Sequence, residues 1–503
     1  MRVPPSITPE SSDVAFDRSG LGGQPRGLST LFFTEMWERF SYYGMRGLLT
    51  LFMVAPVTAG GLGFDDKRAT LIYGNYVMSV FMLSIPGGFI ADNFLGARRS
   101  VFIGGIVIAC GHFALALQSQ TTFFAGLVLI ALGTGLLKPN ISAMVGSLYS
   151  PVDQRRDAGF SIFYMGINIG ASVGGLLTGW LAQSAEFKTM LSGWGLDPTH
   201  SWHWGFAAAG VGMTLGLLVY VLKGASLAQI GRAPSPEITR PWRKLITIVL
   251  GAAGFFVFVR VSDQEGLSWL RFLFLIVPVA LATWLSFKPD IESKRIAAIL
   301  VFSIAAMIFW AIFEQAGSSI ALFAERLTRS EVFGYAFPSS WFQSANPIYV
   351  MLLAPLFAWA WVKLGSRQPS SPFKFVLGLV FLGLSFVLMV PAARLTVEGK
   401  VSPLWLLGLY FLQTVGEMFL SPVGLSTMTK LAPARLVGLV MGIWFLAAAL
   451  GNKLAGVLAS DFKSDNPASL VSFFWHQALW VGGATLVLLA LVPWLRRLMG
   501  GIR

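Results

Sequence analysis

Apolar residues in this chain come in long blocks rather than at the short periods of strands or surface helices, and short polar segments separate the blocks. A helix of about 20 apolar residues spans the hydrocarbon core of a bilayer. Reading at that length gives fourteen spans: 29–55, 68–93, 98–118, 121–147, 157–183, 202–222, 243–260, 267–288, 296–325, 340–363, 372–391, 403–430, 436–459 and 471–497. Several exceed 25 residues, which predicts tilt or protrusion. The charges between the blocks test the count. With the N-terminus inside, Arg98/Arg99, Arg155/Arg156, Lys223 through Lys244, Lys288/Lys294/Arg295, Lys363/Arg367/Lys374, Lys430/Arg435 and Arg496/Arg497/Arg503 all fall on the inner side. About 23 of the 37 Lys and Arg then lie inside and about 10 outside, as the positive-inside rule demands. Both termini are expected to be cytoplasmic.

Composition agrees with the pattern. The 503 residues are 55% hydrophobic and 12% charged, where a soluble protein carries about 25% charged residues. The formal charge of +13 is spread over short loops and not gathered on a soluble face, which excludes nucleic-acid binding. Cys110 is the single cysteine and reads as a small buried hydrophobe, so no intramolecular disulfide exists. Residues 1–27 are polar and rich in Pro, Gly and Ser, without the apolar core of a signal peptide. They read as a disordered cytoplasmic tail.

The spans sort into units: a six-helix bundle over 28–223, a linker with two accessory transmembrane helices over 224–290, and a second six-helix bundle over 291–503. The two accessory spans hold almost no interior polar side chains, so they are expected to face lipid. Among the spans, seven charges lie deep: Glu35, Glu38, Glu314 and Glu417 against Arg39, Arg46 and Lys138. Lys453 also falls in a span. Unpaired, each costs a few kcal/mol at the membrane centre, so the seven are expected to pair with one another. Glu35, Arg39, Tyr42 and Arg46 follow at steps of three or four and share one helix face. Charges of this kind mark a substrate or ion path. Lys138 and Glu417, on opposite bundles, suit the two ends of a zwitterion.

The bundles resemble each other weakly. Acids sit in the first helix of each, and a charge followed by proline sits in the fourth: Lys138-Pro139-Asn140 and Glu417 with Ser421-Pro422. Duplicated six-helix halves around a midplane site are the major facilitator arrangement, an all-α polytopic membrane fold. The segment Gly87 to Arg99 resembles that superfamily's cytoplasmic G-x-x-x-D-x-x-G-x-R signature, in which Asp92 and Arg98 take structural charge interactions at a helix end.

A closer resemblance follows from longer motifs. Glu35-x-x-Glu38-Arg39-Phe40-x-Tyr42-Tyr43-Gly44 and Phe163-Tyr164-x-x-Ile167-Asn168-x-Gly170 resemble the two signatures of the proton-dependent oligopeptide transporter family. So do Phe309-Trp310-x-x-Phe313-Glu314-Gln315, Gln343-x-x-Asn346-Pro347 and Glu417-x-x-x-Ser421-Pro422. Fourteen spans fit that family's bacterial branch. The resemblance implies a proton-coupled symporter of di- and tripeptides in the bacterial inner membrane. It needs no cofactor beyond the proton, no nucleic acid and no obligate protein partner.

It also implies roles. Glu35, Glu38, Arg39, Arg46 and Glu314 would couple protons, with Glu314 paired to Arg46 across the halves. Lys138 would hold the peptide carboxylate and Glu417 its amino group. Tyr43, Tyr73, Phe81, Asn168, Asn346 and Ser421 would contact the peptide. Trp444 either lines a side-chain pocket or is an interfacial tryptophan. Many members carry a tyrosine where Phe81 stands, which predicts altered peptide contact. Other readings are an anion transporter, for instance of nitrate, and a non-transporting peptide sensor. No nucleophile–base pair supports an enzyme, and His200/His203 alone do not make a metal site.

Overall fold

The computed structural model describes residues 17–150, 153, 155–227, 230–232, 241–264, 266–433 and 436–501. Among the described residues, fourteen long helices run back and forth. They are α1 (Arg26–Val54), α2 (Asp66–Ile90), α3 (Ala97–Leu115), α4 (Gln120–Ser147), α5 (Arg156–Gln183), α6 (Ser201–Leu222), α7 (Trp242–Val261) and α8 (Leu273–Ser286). After them come α9 (Ile291–Phe313), α10 (Ala345–Leu364), α11 (Ser371–Leu395), α12 (Leu404–Leu431), α13 (Val437–Ala459) and α14 (Pro467–Leu498). Thirteen of these, α2 to α14, are long and apolar enough to cross a membrane, α8 once the 3-10 turn Ser268–Phe272 that leads into it is counted. The exception is α1, which carries Glu35, Glu38, Arg39 and Arg46, and α5 and α6 pack against it on either side. An even number of passes puts Asp17 and Gly501, the first and last described residues, on one face, here the terminal face; the opposite one is the far face.

Glycine sets how closely the helices approach. A Cβ on Gly170 would lie 2.0 Å from the Met36 carbonyl, and one on Gly174 would lie 2.3 Å from that of Phe40. The backbones of α1 and α5 therefore touch, as small residues permit in membranes. Gly87 meets Gly135 in the same way between α2 and α4, which is the packing use of the glycines around Lys138. Two seams join the first bundle to the second: α2 against α13, and α5 against α10 with the turn Ser339–Ser344 before it.

Three expectations need correction. Residues 1–16 of the expected disordered tail lie outside the described residues, but 17–25 are tied down. Arg155 donates to the carbonyls of Asp17 (3.0 Å) and Gly23 (2.9 Å), and the Tyr149 hydroxyl donates to Gln24 Oε1 (2.9 Å). Asp17 accepts from the Arg26 N–H at 2.9 Å and so supplies a partner to an otherwise unsatisfied first turn of α1. Hydrogen bonds from Ser19 and Arg26 hold its carboxyl below the usual value. Cys110 is exposed, not buried, because α3 turns that side outward while Ile108 and His112 face the bundle. Asp92 is exposed in the turn Ala91–Leu95 and bonds to no described residue. Arg98 instead holds the linker: its guanidinium donates to the Gly224 carbonyl (2.7 Å) and its N–H to that of Gly231 (2.8 Å). Residues 228, 229 and 233–240 of that linker lie outside the described residues.

Candidate functional site

On α1 the i, i+3 and i+4 spacing delivers Glu35, Glu38 and Arg39 to one buried spot. Arg39 Nε lies 3.0 Å from Glu35 Oε1 and also contacts Glu38. All three are at most 3% exposed. Both Glu38 oxygens, Glu35 Oε2 and Arg39 Nη2 lack a well-formed hydrogen bond. Two acids thus share one guanidinium, with acceptor capacity to spare. Such a group has room for a proton that a saturated pair lacks.

Further along the same face, Arg46 reaches the second bundle. Its Nη2 pairs with Glu314, and its Nε–H donates to the Tyr73 hydroxyl at 2.6 Å. Glu314 is placed by a break in its helix: α9 ends at Phe313, and a 3-10 turn over Glu314–Gly317 leads to the short helix Ser319–Leu327. Gly317 receives Tyr73, whose oxygen would lie 2.0 Å from any Cβ there, and its carbonyl accepts from Thr50 at 2.6 Å.

Lys138 and Glu417 do not complete the pairing expected of the seven charges. Neither takes part in an ion pair with a described residue. The Lys138 ammonium lies 4.0 Å above the centroid of the Phe81 ring, a cation–π contact. Glu417 accepts from Asn346 Nδ2 at 3.0 Å, and the same nitrogen donates to Thr414 Oγ1 at 3.0 Å. Both charges are half-buried rather than sealed, and a ring face and an amide stand where a countercharge would. That is why a burial argument overcounted the pairs.

The remaining residues take varied places. Tyr43 is half-buried with the Arg46 guanidinium 5.7 Å from its ring centroid. Asn168 anchors to its own helix, donating to the Tyr164 carbonyl at 2.8 Å. The Ser421 hydroxyl is buried without a partner. Trp444 is buried within the second bundle, its ring against Gly424 and edge-on to Phe375 at 6.4 Å, so it is not interfacial. His200 and His203 gather no third ligand, and no group of three metal-binding side chains occurs among the described residues.

Sequence reasoning missed the closure of the far face. Arg326 forks onto Asp66 at 2.6 and 2.7 Å. Gln183 donates to Glu325 and Ser339 (3.2 Å each) and accepts from the Ser340 N–H (3.1 Å). Trp341 donates to the Leu176 carbonyl at 2.8 Å and Gln343 to that of Gly47 at 3.2 Å. Deeper along α5, Ser344 donates to the Ser172 carbonyl at 3.3 Å. Asp66 stands in the first turn of α2.

Two bundles tied to each other at one face, each carrying one charge of opposite sign that forms no ion pair with a described residue, define a secondary transporter of the major facilitator type. The model of the POT family matches residues 98–471, and the chain belongs to that family. It is 42% identical over 510 residues to an uncharacterised transporter of Bacillus subtilis, covering 99% of both chains. It is 38% identical to a di-/tripeptide transporter of Lactococcus lactis subsp. cremoris, covering 96% of this chain and 98% of that one. A crystal structure of a mutant peptide transporter POT in complex with alafosfalin is similar at a TM-score of 0.84, with 39% identity over 98% of this chain and all of that one.

Proposed function

We propose that this protein is a proton-coupled symporter that imports di- and tripeptides by alternating access. It sits in the bacterial cytoplasmic membrane with the terminal face inside, where the basic loops collect. The observation that carries the substrate is that Lys138 on one bundle and Glu417 on the other form no ion pair with a described residue. A peptide zwitterion supplies both missing countercharges, its carboxylate to Lys138 and its ammonium to Glu417. Tyr43, Asn346 and Ser421 offer hydrogen bonds to the backbone between them. An anion would satisfy Lys138 and be repelled by Glu417.

Protons are the coupling ion and no other cofactor is required. In this scheme Glu35, Glu38 and Arg39 form one proton-handling group and Glu314 with Arg46 the other. With the far face shut, the site is reached from the cytoplasm, the releasing state of the cycle. A proton on Glu314 removes its charge from Arg46 and so loosens the contact between the bundles. Neither a nucleic acid nor an obligate protein partner has a part. Proteoliposome uptake of labelled dialanine, with and without an inward proton gradient, tests the proposal. Accumulation only with the gradient supports it, and competition by nitrate but not by dialanine would sink it.

A further inference from the structure

Lys453 is a buried span charge that the peptide site does not use. It lies near the far end of α13 and is 1% exposed. Its ammonium donates to Asn75 Oδ1 on α2 at 2.7 Å and to Asp263 Oδ2 at 2.6 Å. Asp263 stands in the far-face turn between the accessory helices, and its other oxygen accepts from Arg271 at 3.3 Å. One ammonium therefore joins three bodies: the second bundle, the first bundle and the accessory pair.

The place of this contact is informative. It sits on the α2–α13 seam, where the backbones touch: a Cβ on Gly74 would lie 2.9 Å from the Gly456 Cα. Beside it, Met78 and Met82 of α2 and Leu450 of α13 share an apolar cluster with Val259 of α7 and Phe274 of α8. Elsewhere α7 and α8 bury little; Val259 is the buried residue of one, and Phe274 and Ala282 are those of the other. Helices that bury so little still bring a carboxylate to this seam. Burying a lysine and its partner costs more than burying an apolar pair. What the ionic contact adds over apolar packing is a direction-specific bond that can be made and released.

We propose that Lys453 is a positioning residue of the transport cycle, and that the accessory helices are the arm that holds it. In the far-closed state the ammonium locks α2 to α13 through Asn75. When the bundles part at the far face, Asn75 withdraws. Asp263 stays on the ammonium, so the lock releases without leaving a buried charge unpaired. This rests on the alternating-access reading above.

The test uses the full chain in lipid, with Cys110→Ser and spin labels on Thr189→Cys and Val397→Cys, which lie at the far face on opposite bundles. The distance distribution reports far-closed and far-open populations. Lys453→Met keeps the stem and removes the ammonium, while Asn75→Ala removes the lock and leaves the Lys453–Asp263 pair. Each is expected to raise the open-to-closed ratio about fivefold, the size of one lost hydrogen bond. The thermal midpoint of Asn75→Ala should stay near that of the parent. Asp263→Asn strands the ammonium and should cost far more stability than the double change Asp263→Asn/Lys453→Met. Should Lys453→Met fail to fold, Asn75→Ala decides alone. Parent-like distances in every folded variant overturn the inference while leaving alternating access intact. A parent that never populates a longer distance overturns both.

Discussion

The two salt-bridged regions of α1 look alike in composition and differ in what they connect. Glu35, Glu38 and Arg39 are closed within one helix. Arg46 is spent on Glu314 of the other bundle and on Tyr73 of α2. A group contained in one rigid bundle keeps its geometry while the bundles rock, so only a proton or a ligand changes it. A pair that spans the bundles changes with the rocking itself. The chain thus places chemistry and motion on one helix, about two turns apart.

Four experiments bear on that difference. The largest effect is expected at the spanning pair. Arg46→Ala leaves Glu314 a buried carboxylate without its partner, a cost of about 3–5 kcal/mol. Gradient-driven uptake should fall about a hundredfold or more, and gradient-free counterflow should fall with it. At the contained group, Glu38→Gln should abolish gradient-driven accumulation while counterflow persists, because the bundles still rock. Equal loss of both activities in Glu38→Gln would erase the distinction. Next in size is Lys138→Ala, which removes the proposed carboxylate holder. The KM for dialanine should rise about tenfold or more, as for a lost charge-assisted hydrogen bond, with the maximal rate less affected. The smallest effect belongs to Asp66→Asn at the far face. The Asp66–Arg326 pair is partly exposed, and such pairs contribute up to about 1 kcal/mol. Spin-label distances across the far face should shift by a few-fold in population, and more at low than at high salt.

The legible part of the fold was the part that a bilayer dictates. Blocks of apolar length gave the fourteen helices, including α1, whose own charges take it below the hydropathy of a span, but not the break that ends α9 at Phe313 inside the block 296–325. The acidic motif on α1 was readable for the same reason: charges inside an apolar block stand out. Pairing was less legible. Burial does pair Arg39 with Glu35 and Glu38, and Arg46 with Glu314, but Lys138 and Glu417 are only half-buried, and a ring face and an amide take the place of countercharges. Asp92 reads as a helix-end acid, yet its turn points it outward. Lys453 was visible as a span charge, while its partner Asp263 lies in a turn between helices whose composition points only to lipid. Contacts between residues so far apart in the chain leave no periodic trace.

Proton movement during peptide uptake tests the central claim most directly. Proteoliposomes holding a pH dye and no imposed gradient should acidify inside when dialanine is added outside, and should stay unchanged with Glu38→Gln protein or with nitrate. Dialanine uptake without acidification, or acidification that survives Glu38→Gln, would contradict the account.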